Sequence, residues 1–234
     1  MSGFLRVPGL EPLAPVRVTD RERALACMAA SVLLDYPDPG PDRDERLAAV
    51  RSGVAGLPEP VRSRLAGFVD HALTQDPQAL ARAYVDTFDL KRKCSMYLSY
   101  FVTGDTRRRG TALVRFVEAY RAAGWEVGRN ELPDFLPIVL EFTAVGDAEL
   151  GTALLAAHRE GVEVLRSALT SLRSPWAAVV EAVCLVLPRP SADVEDRLLQ
   201  LITAGPPTEM VGLNALGPLE PFAPGGARNE EVRA

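Results

Sequence analysis

The 234-residue chain carries 26 basic and 31 acidic residues for a formal net charge of −5, with 47% hydrophobic and 24% charged residues. That composition fits one large domain, or one domain with a small appendage, and supports a sizeable core. The negative balance argues against nucleic acid or an anionic membrane surface as the main partner. Cys27, Cys94 and Cys184 lie far apart with no Cys-x-x-Cys, and His71 and His158 are the only histidines. The sequence therefore offers no disulfide framework and no obvious zinc or haem site, and it fits a reducing cytoplasm. Residues 1–18 hold three prolines and no continuous apolar run, so no secretory leader is expected there. No window approaches the ~20 apolar residues of a membrane span.

Taken in chain order, nearly every segment has helical period. Thr19 and Glu22 form a capping box ahead of a stripe of Leu25, Met28, Ala29, Val32, Leu33 and Tyr36, which Pro37 ends. A weaker, charged helix is expected over 42–54. The next carries Val61, Leu65, Phe68, Val69, Ala72 and Leu73 on one face. Asp76 caps a helix that has Pro77 at its first position and bears Leu80, Tyr84 and Phe88.

A break at 91–93 precedes a short aromatic helix with Met96, Tyr97, Tyr100 and Phe101. Asp105 or Thr106 opens a helix with Leu113, Phe116, Val117 and Tyr120, which Gly124 ends. Pro133-Asp134 opens another, and Asp147 a long one reaching about Ser171. Ser174-Pro175 starts an almost wholly apolar helix over 176–187, expected to be central, and Ser191 caps the last. The expectation is an all-α, single-domain bundle of roughly nine or ten helices. The helical domain would cover 19–204, between a mobile segment 1–18 and a Pro/Gly-rich mobile tail 205–234.

The chemistry concentrates between Tyr84 and Phe142. Arg107, Arg108 and Arg109 fall in the first turn of a helix, where the macrodipole disfavours cations. A solvated basic turn with one ion pair to Asp89 or Asp105 is one reading, and a role in gripping another polypeptide is the other. Leu132, Phe135, Leu136, Ile138, Val139, Leu140 and Phe142 are apolar on nearly all sides. Asp134 and Glu141, seven apart, would line one stripe of that helix. A carboxylate in such surroundings needs a cationic partner, either an internal arginine or one from a bound peptide. Tyr84, Phe88, Tyr97, Tyr100, Phe101 and Tyr120 suit either a core or the amphipathic wall of a peptide groove. No nucleophile triad or phosphate loop is present, so an enzyme is the weakest of the function classes.

Four blocks then carry a resemblance. Phe88-Asp89-x-x-Arg92, Tyr97-Leu98, Gly104-Asp105-Thr106-Arg107-x-Arg109-Gly110 and Glu131-Leu132-Pro133-Asp134-x-Leu136-Pro137-x-x-Leu140-Glu141 together resemble the nitrate reductase delta subunit family. These are the NarJ-type molybdenum cofactor assembly chaperones, a branch of the TorD/DmsD group of redox-enzyme maturation proteins. The resemblance implies an all-helical, non-catalytic cytoplasmic chaperone with no cofactor of its own. Its partner would be the N-terminal segment of the catalytic alpha subunit of respiratory nitrate reductase, held until the molybdenum cofactor is inserted, with molybdenum cofactor delivery proteins as further partners. Carried over by motif, the client-binding candidates are Phe88, Asp89, Arg92, Tyr97, Tyr100, Asp105, Arg107, Arg109, Asp134, Leu136, Pro137 and Glu141. A sister chaperone serving a dimethyl sulfoxide, trimethylamine oxide or formate enzyme is the alternative.

Overall fold

The computed structural model describes residues 13–103, 107–127 and 131–188. Within them the chain forms α1 (Asp20–Leu34), α2 (Arg43–Gly53), α3 (Glu59–Thr74), α4 (Pro77–Phe88), α5 (Leu98–Thr103), α6 (Arg107–Ala122), α7 (Leu136–Glu141), α8 (Ala148–Ala157), α9 (Arg159–Ser171) and α10 (Trp176–Val186). Among the described residues there is no strand, only an isolated antiparallel bridge between Tyr97 and Phe135. The all-α expectation holds. The helix expected from Ser191 and the tail 205–234 lie outside the described residues.

The start of α1 follows its sequence signature. The Thr19 hydroxyl accepts from the Glu22 amide while the Glu22 carboxylate accepts from the Thr19 amide at 2.7 Å, closing the capping box. Asp76 caps α4 and Asp147 caps α8 in the same way, each accepting from the amide three residues on. Residues 13–18 differ from the expected mobile lead-in. The Val16 amide donates to the Leu185 carbonyl at 2.8 Å, and Leu13, Val16 and Val18 pack against the core.

The apolar α10 is central, as its composition demands, packing against α3, α1 and α9. Trp176 at its start is 1% exposed and meets Phe68, Tyr84 and Phe88 at ring-centroid distances of 5.5–5.7 Å. Its indole N–H donates to the Leu33 carbonyl at 3.2 Å. A large aromatic in this setting both fills volume and satisfies a backbone group of a helix end.

Besides α5, which starts at Leu98 and leaves the expected Met96 and Tyr97 in the bridged stretch ahead of it, two element boundaries depart from expectation. The long helix over 147–171 is broken at His158, giving α8 and α9. The break turns Arg159 inward, where its guanidinium donates to the carbonyls of Leu13, Leu187 and Pro188 and reaches Glu163 at 3.2 Å. Glu163 also accepts from Arg166 at 2.7 Å, so one buried carboxylate bridges two buried arginines. The second departure is at α7, which begins at Leu136 rather than at Asp134 and runs into a π turn over Phe142–Gly146. Gly151 of α8 permits that turn, because a Cβ there would lie 2.6 Å from the Thr143 Cα.

Trp176→Ala is expected to destabilise the fold by about 3–5 kcal/mol, since the surrounding rings cannot collapse into the space. Leu90→Ala, at a position 72% exposed, should change stability by less than about 0.5 kcal/mol. Urea denaturation of both variants checks the pair.

Candidate functional site

Around the brace between the Met96–Ser99 and Glu131–Leu136 stretches, backbone and side chains act together. The Leu98 amide donates to the Asp134 carbonyl at 3.0 Å and the Leu136 amide to the Met96 carbonyl at 2.8 Å. The Asp134 carboxylate, fully buried, accepts from the Ser99 amide at 3.0 Å and the Ser99 hydroxyl at 2.5 Å. It therefore caps the first turn of α5 from across the chain. The Tyr120 hydroxyl closes the brace from α6 by donating to the Pro133 carbonyl at 2.6 Å.

Above the brace lies Tyr97. Its hydroxyl donates to the Glu131 carboxylate at 2.9 Å, its ring centroid lies 5.4 Å from that of Phe135, and the Arg109 guanidinium sits 5.4 Å over its face. Burial, the hydrogen bond to Glu131 and the nearby Glu131 and Asp134 charges push the Tyr97 phenol up to about 12, against a lowering from Arg109. Burial likewise pushes up the thiols of Cys27, Cys94 and Cys184, so none of the three is poised as a nucleophile.

Two clefts open beside this arrangement. One, of 390 Å³, is lined by Tyr84, Phe88, Asp89, Lys91, Arg92, Met96, Tyr97, Glu131 and Phe135, together with Asp35 and Tyr36. The other, of 280 Å³, lies among α1, α2, α3 and α4, with Met28, Val32, Leu47, Phe68, Leu80 and Glu141 on its walls and the same Asp35 and Tyr36 at its edge. Among the described residues no group of three His, Cys, Asp or Glu side chains is arranged to hold a metal ion. No helix there is long and apolar enough to cross a membrane.

Phe88, Asp89, Arg92 and Tyr97 thus come together in the first cleft, although Phe88 is 8% exposed and belongs equally to the Trp176 aromatic group. Arg109 stands beside that cleft, its guanidinium over the Tyr97 ring. Three candidates are displaced from the surface expected of them. Asp134, Leu136 and Pro137 are buried, because the bridge to Met96–Ser99 folds them under the rim, and the Pro137 carbonyl accepts from Ser31 of α1 at 2.8 Å. Glu141 does not share a stripe with Asp134, since α7 starts after Asp134, and it lines the second cleft half-buried. Tyr100 packs against Phe101, away from both clefts. Asp105 and the side chain of Arg107 lie outside the described residues.

The comparison with known families fits this architecture. The model described as "Nitrate reductase delta subunit" matches residues 55–181, from the turn before α3 to within α10. The chain belongs to the nitrate reductase delta subunit family. Among curated members and relatives, it is 31% identical over 176 residues to the "Probable nitrate reductase molybdenum cofactor assembly chaperone NarJ" of Bacillus subtilis, covering 74% of this chain and 92% of that one. It is 34% identical over 116 residues to the "Nitrate reductase molybdenum cofactor assembly chaperone NarJ" of Escherichia coli K12, 49% of each chain. It is 40% identical over 155 residues to the "Nitrate reductase-like protein NarX" of Mycobacterium tuberculosis, 66% of this chain but only 23% of that larger protein.

Within this delta subunit family member, sequence reasoning missed Val32, Asp35 and Tyr36. Val32 and Tyr36 belong to the apolar i, i+3, i+4 stripe of the sequence, yet they are 41% and 50% exposed. The overlooked signal is that α1 is apolar on two faces, and one bundle buries only one of them.

Asp134→Ala should cost about 1–2 kcal/mol by stripping two bonds from Ser99, whereas Tyr97→Phe should cost about 1 kcal/mol or less. The phenol also sets a pH dependence. Tyr97 holds its proton more tightly folded than unfolded, so its contribution is present below pH 10 and lost as pH rises toward 12. Tyr97→Phe should remove part of the alkaline fall in stability, read from melting curves across that range.

Proposed function

We propose that this chain is a maturation chaperone for respiratory nitrate reductase. In this reading it binds the N-terminal segment of the apo catalytic alpha subunit in the cytoplasm and holds it for molybdenum cofactor insertion, acting by binding and release rather than by turnover. The names of its relatives support the chaperone role. The cleft carries the rest of the reading: an aromatic floor of Phe88, Tyr97 and Phe135 under a rim of Asp89, Lys91, Arg92 and Glu131. Such a surface suits an amphipathic peptide, whose apolar side chain enters the cleft while its charged groups meet the rim. Molybdenum cofactor delivery proteins would then act on the held client.

The brace explains why the cleft is ready before the client arrives. Tyr97 is fixed by Glu131, Phe135 and Arg109 at once, so little side-chain freedom is lost when a peptide packs on it. Burying one Leu or Phe contributes about 1.5–3 kcal/mol. A micromolar complex needs about 8 kcal/mol net, after association has cost 4 or more. One anchor is therefore too little, and the client must make several contacts.

Calorimetric titration with a synthetic copy of the cognate alpha-subunit N-terminus, beside a scrambled control, tests the reading. Saturable binding of the native peptide alone is expected, with Tyr97→Ala weakening it about tenfold. Equal binding of the scrambled peptide, or of a peptide from another molybdoenzyme, would contradict the nitrate reductase assignment.

A further inference from the structure

Helix α2 is the least embedded of the four helices around the 280 Å³ cleft. Of its eleven residues only Arg43 is buried, while Leu47 and Val50 are partly covered. It packs on α3 and more lightly on α1. A helix with so few buried apolar contacts opens at a lower free energy than the core it covers.

One end of α2 is latched and the other is hinged. Arg43, 7% exposed, donates to the Ala72 carbonyl in the last turn of α3 and to the Asp44 carboxylate. A guanidinium placed there meets the negative end of the α3 dipole. Arg51 pairs with Asp70 of α3, but both side chains are half exposed, and such pairs hold little. At the far end Gly53 closes α2, and directly after it Val54 and Leu57 are buried in the core. A Cβ at Gly53 would meet nothing within 4 Å, so packing does not demand a glycine. What the glycine supplies is backbone freedom beside a fixed point.

We propose that α2 is a lid over the α1-side cleft, pivoting at Gly53 and latched by Arg43 on the end of α3. Swinging it away removes Arg43, Arg46 and Leu47 from the cleft wall and uncovers Phe68, Ala72 and Leu80, each less than 5% exposed with the lid shut. The fold thereby holds an apolar surface out of water at rest and exposes it only on opening, which spares the closed protein a large apolar patch. The lid stands apart from the client reading of the Tyr97 cleft, so the failure of either leaves the other untouched.

The test introduces Leu80→Cys on the cleft floor and follows its labelling by N-ethylmaleimide, resolved by peptide mass spectrometry. Cys27 of α1 and Cys184 of α10, both fully buried, serve as references that react only when the core opens. Labelling of Leu80→Cys should outpace both references. It should rise at least about tenfold with Arg43→Met, which keeps the apolar stem and loses the bond to Ala72. It should fall about two- to fivefold with Gly53→Ala, which fits the site and stiffens the pivot. The rates at Cys27 and Cys184 should not change with either variant. Hydrogen exchange gives the second readout: amides 43–53 should exchange ahead of those of α3 and α10, and more slowly in Gly53→Ala. Labelling of Leu80→Cys in step with Cys27 and Cys184, or at a rate that neither variant shifts, would overturn the lid. Exchange of the α2 amides in step with those of α3 would do the same. Should Leu80→Cys or Arg43→Met fail to fold, exchange in the wild type and Gly53→Ala carries the decision.

Discussion

Three hydrogen bonds converge on the last turn of α1, and the rest of the site depends on them. Trp176 of α10 donates to the Leu33 carbonyl, Tyr84 of α4 donates to the Leu34 carbonyl at 3.0 Å, and Ser31 donates to the Pro137 carbonyl at 2.8 Å. A helix end leaves several carbonyls without intrahelical partners, and burying them unpaired is costly. Here two aromatic side chains, 143 and 50 residues away in sequence, supply partners. The end of α1 is thereby fixed against α4, α7 and α10 together, so the position of the following Asp35 and Tyr36 is a consequence of core packing rather than of the loop that carries them.

A second constraint fixes the opposite wall. The Tyr97–Phe135 bridge and the Asp134 cap on Ser99 hold two stretches separated by about a helix and a half of chain. Because Asp134 is spent inside, Tyr97 and Glu131 can stand above it and remain paired with each other. The most characteristic motif of the chain thus does two jobs. Asp134, Leu136 and Pro137 build the support, while Glu131 and Phe135 present the surface.

Much of the fold was legible because local chemistry and tertiary packing agree there. Thr19, Asp76 and Asp147 announce helix starts by side-chain caps, and the apolar run after Trp176 admits no position but the centre. The break at His158 was not legible, because the sequence keeps helical period through it. The break sets Arg159 inward against carbonyls at both ends of the described chain, partners that no local pattern around His158 announces. At the site, motif resemblance marked the right neighbourhood but could not divide it into surface and support. Asp134 and Glu141 look alike in sequence and differ in the structure because one precedes the helix and the other ends it. The exposure of Tyr36 was hidden for a related reason: periodicity reports a side chain's direction around its helix, not whether another element covers it.

The family places this chain among nitrate reductase delta subunits, and the structure offers a preorganised aromatic surface between two helix C-termini. The central claim is that a client segment occupies that surface. Its most direct test is an amide-resolved NMR titration of the isotopically labelled chain with the alpha-subunit N-terminal peptide. The account predicts saturable shifts clustered at residues 32–38, 88–97 and 131–135, with the outward faces of α6 and α8 unmoved. Saturable shifts centred on those faces instead, with residues around Tyr36 and Tyr97 silent, would contradict it.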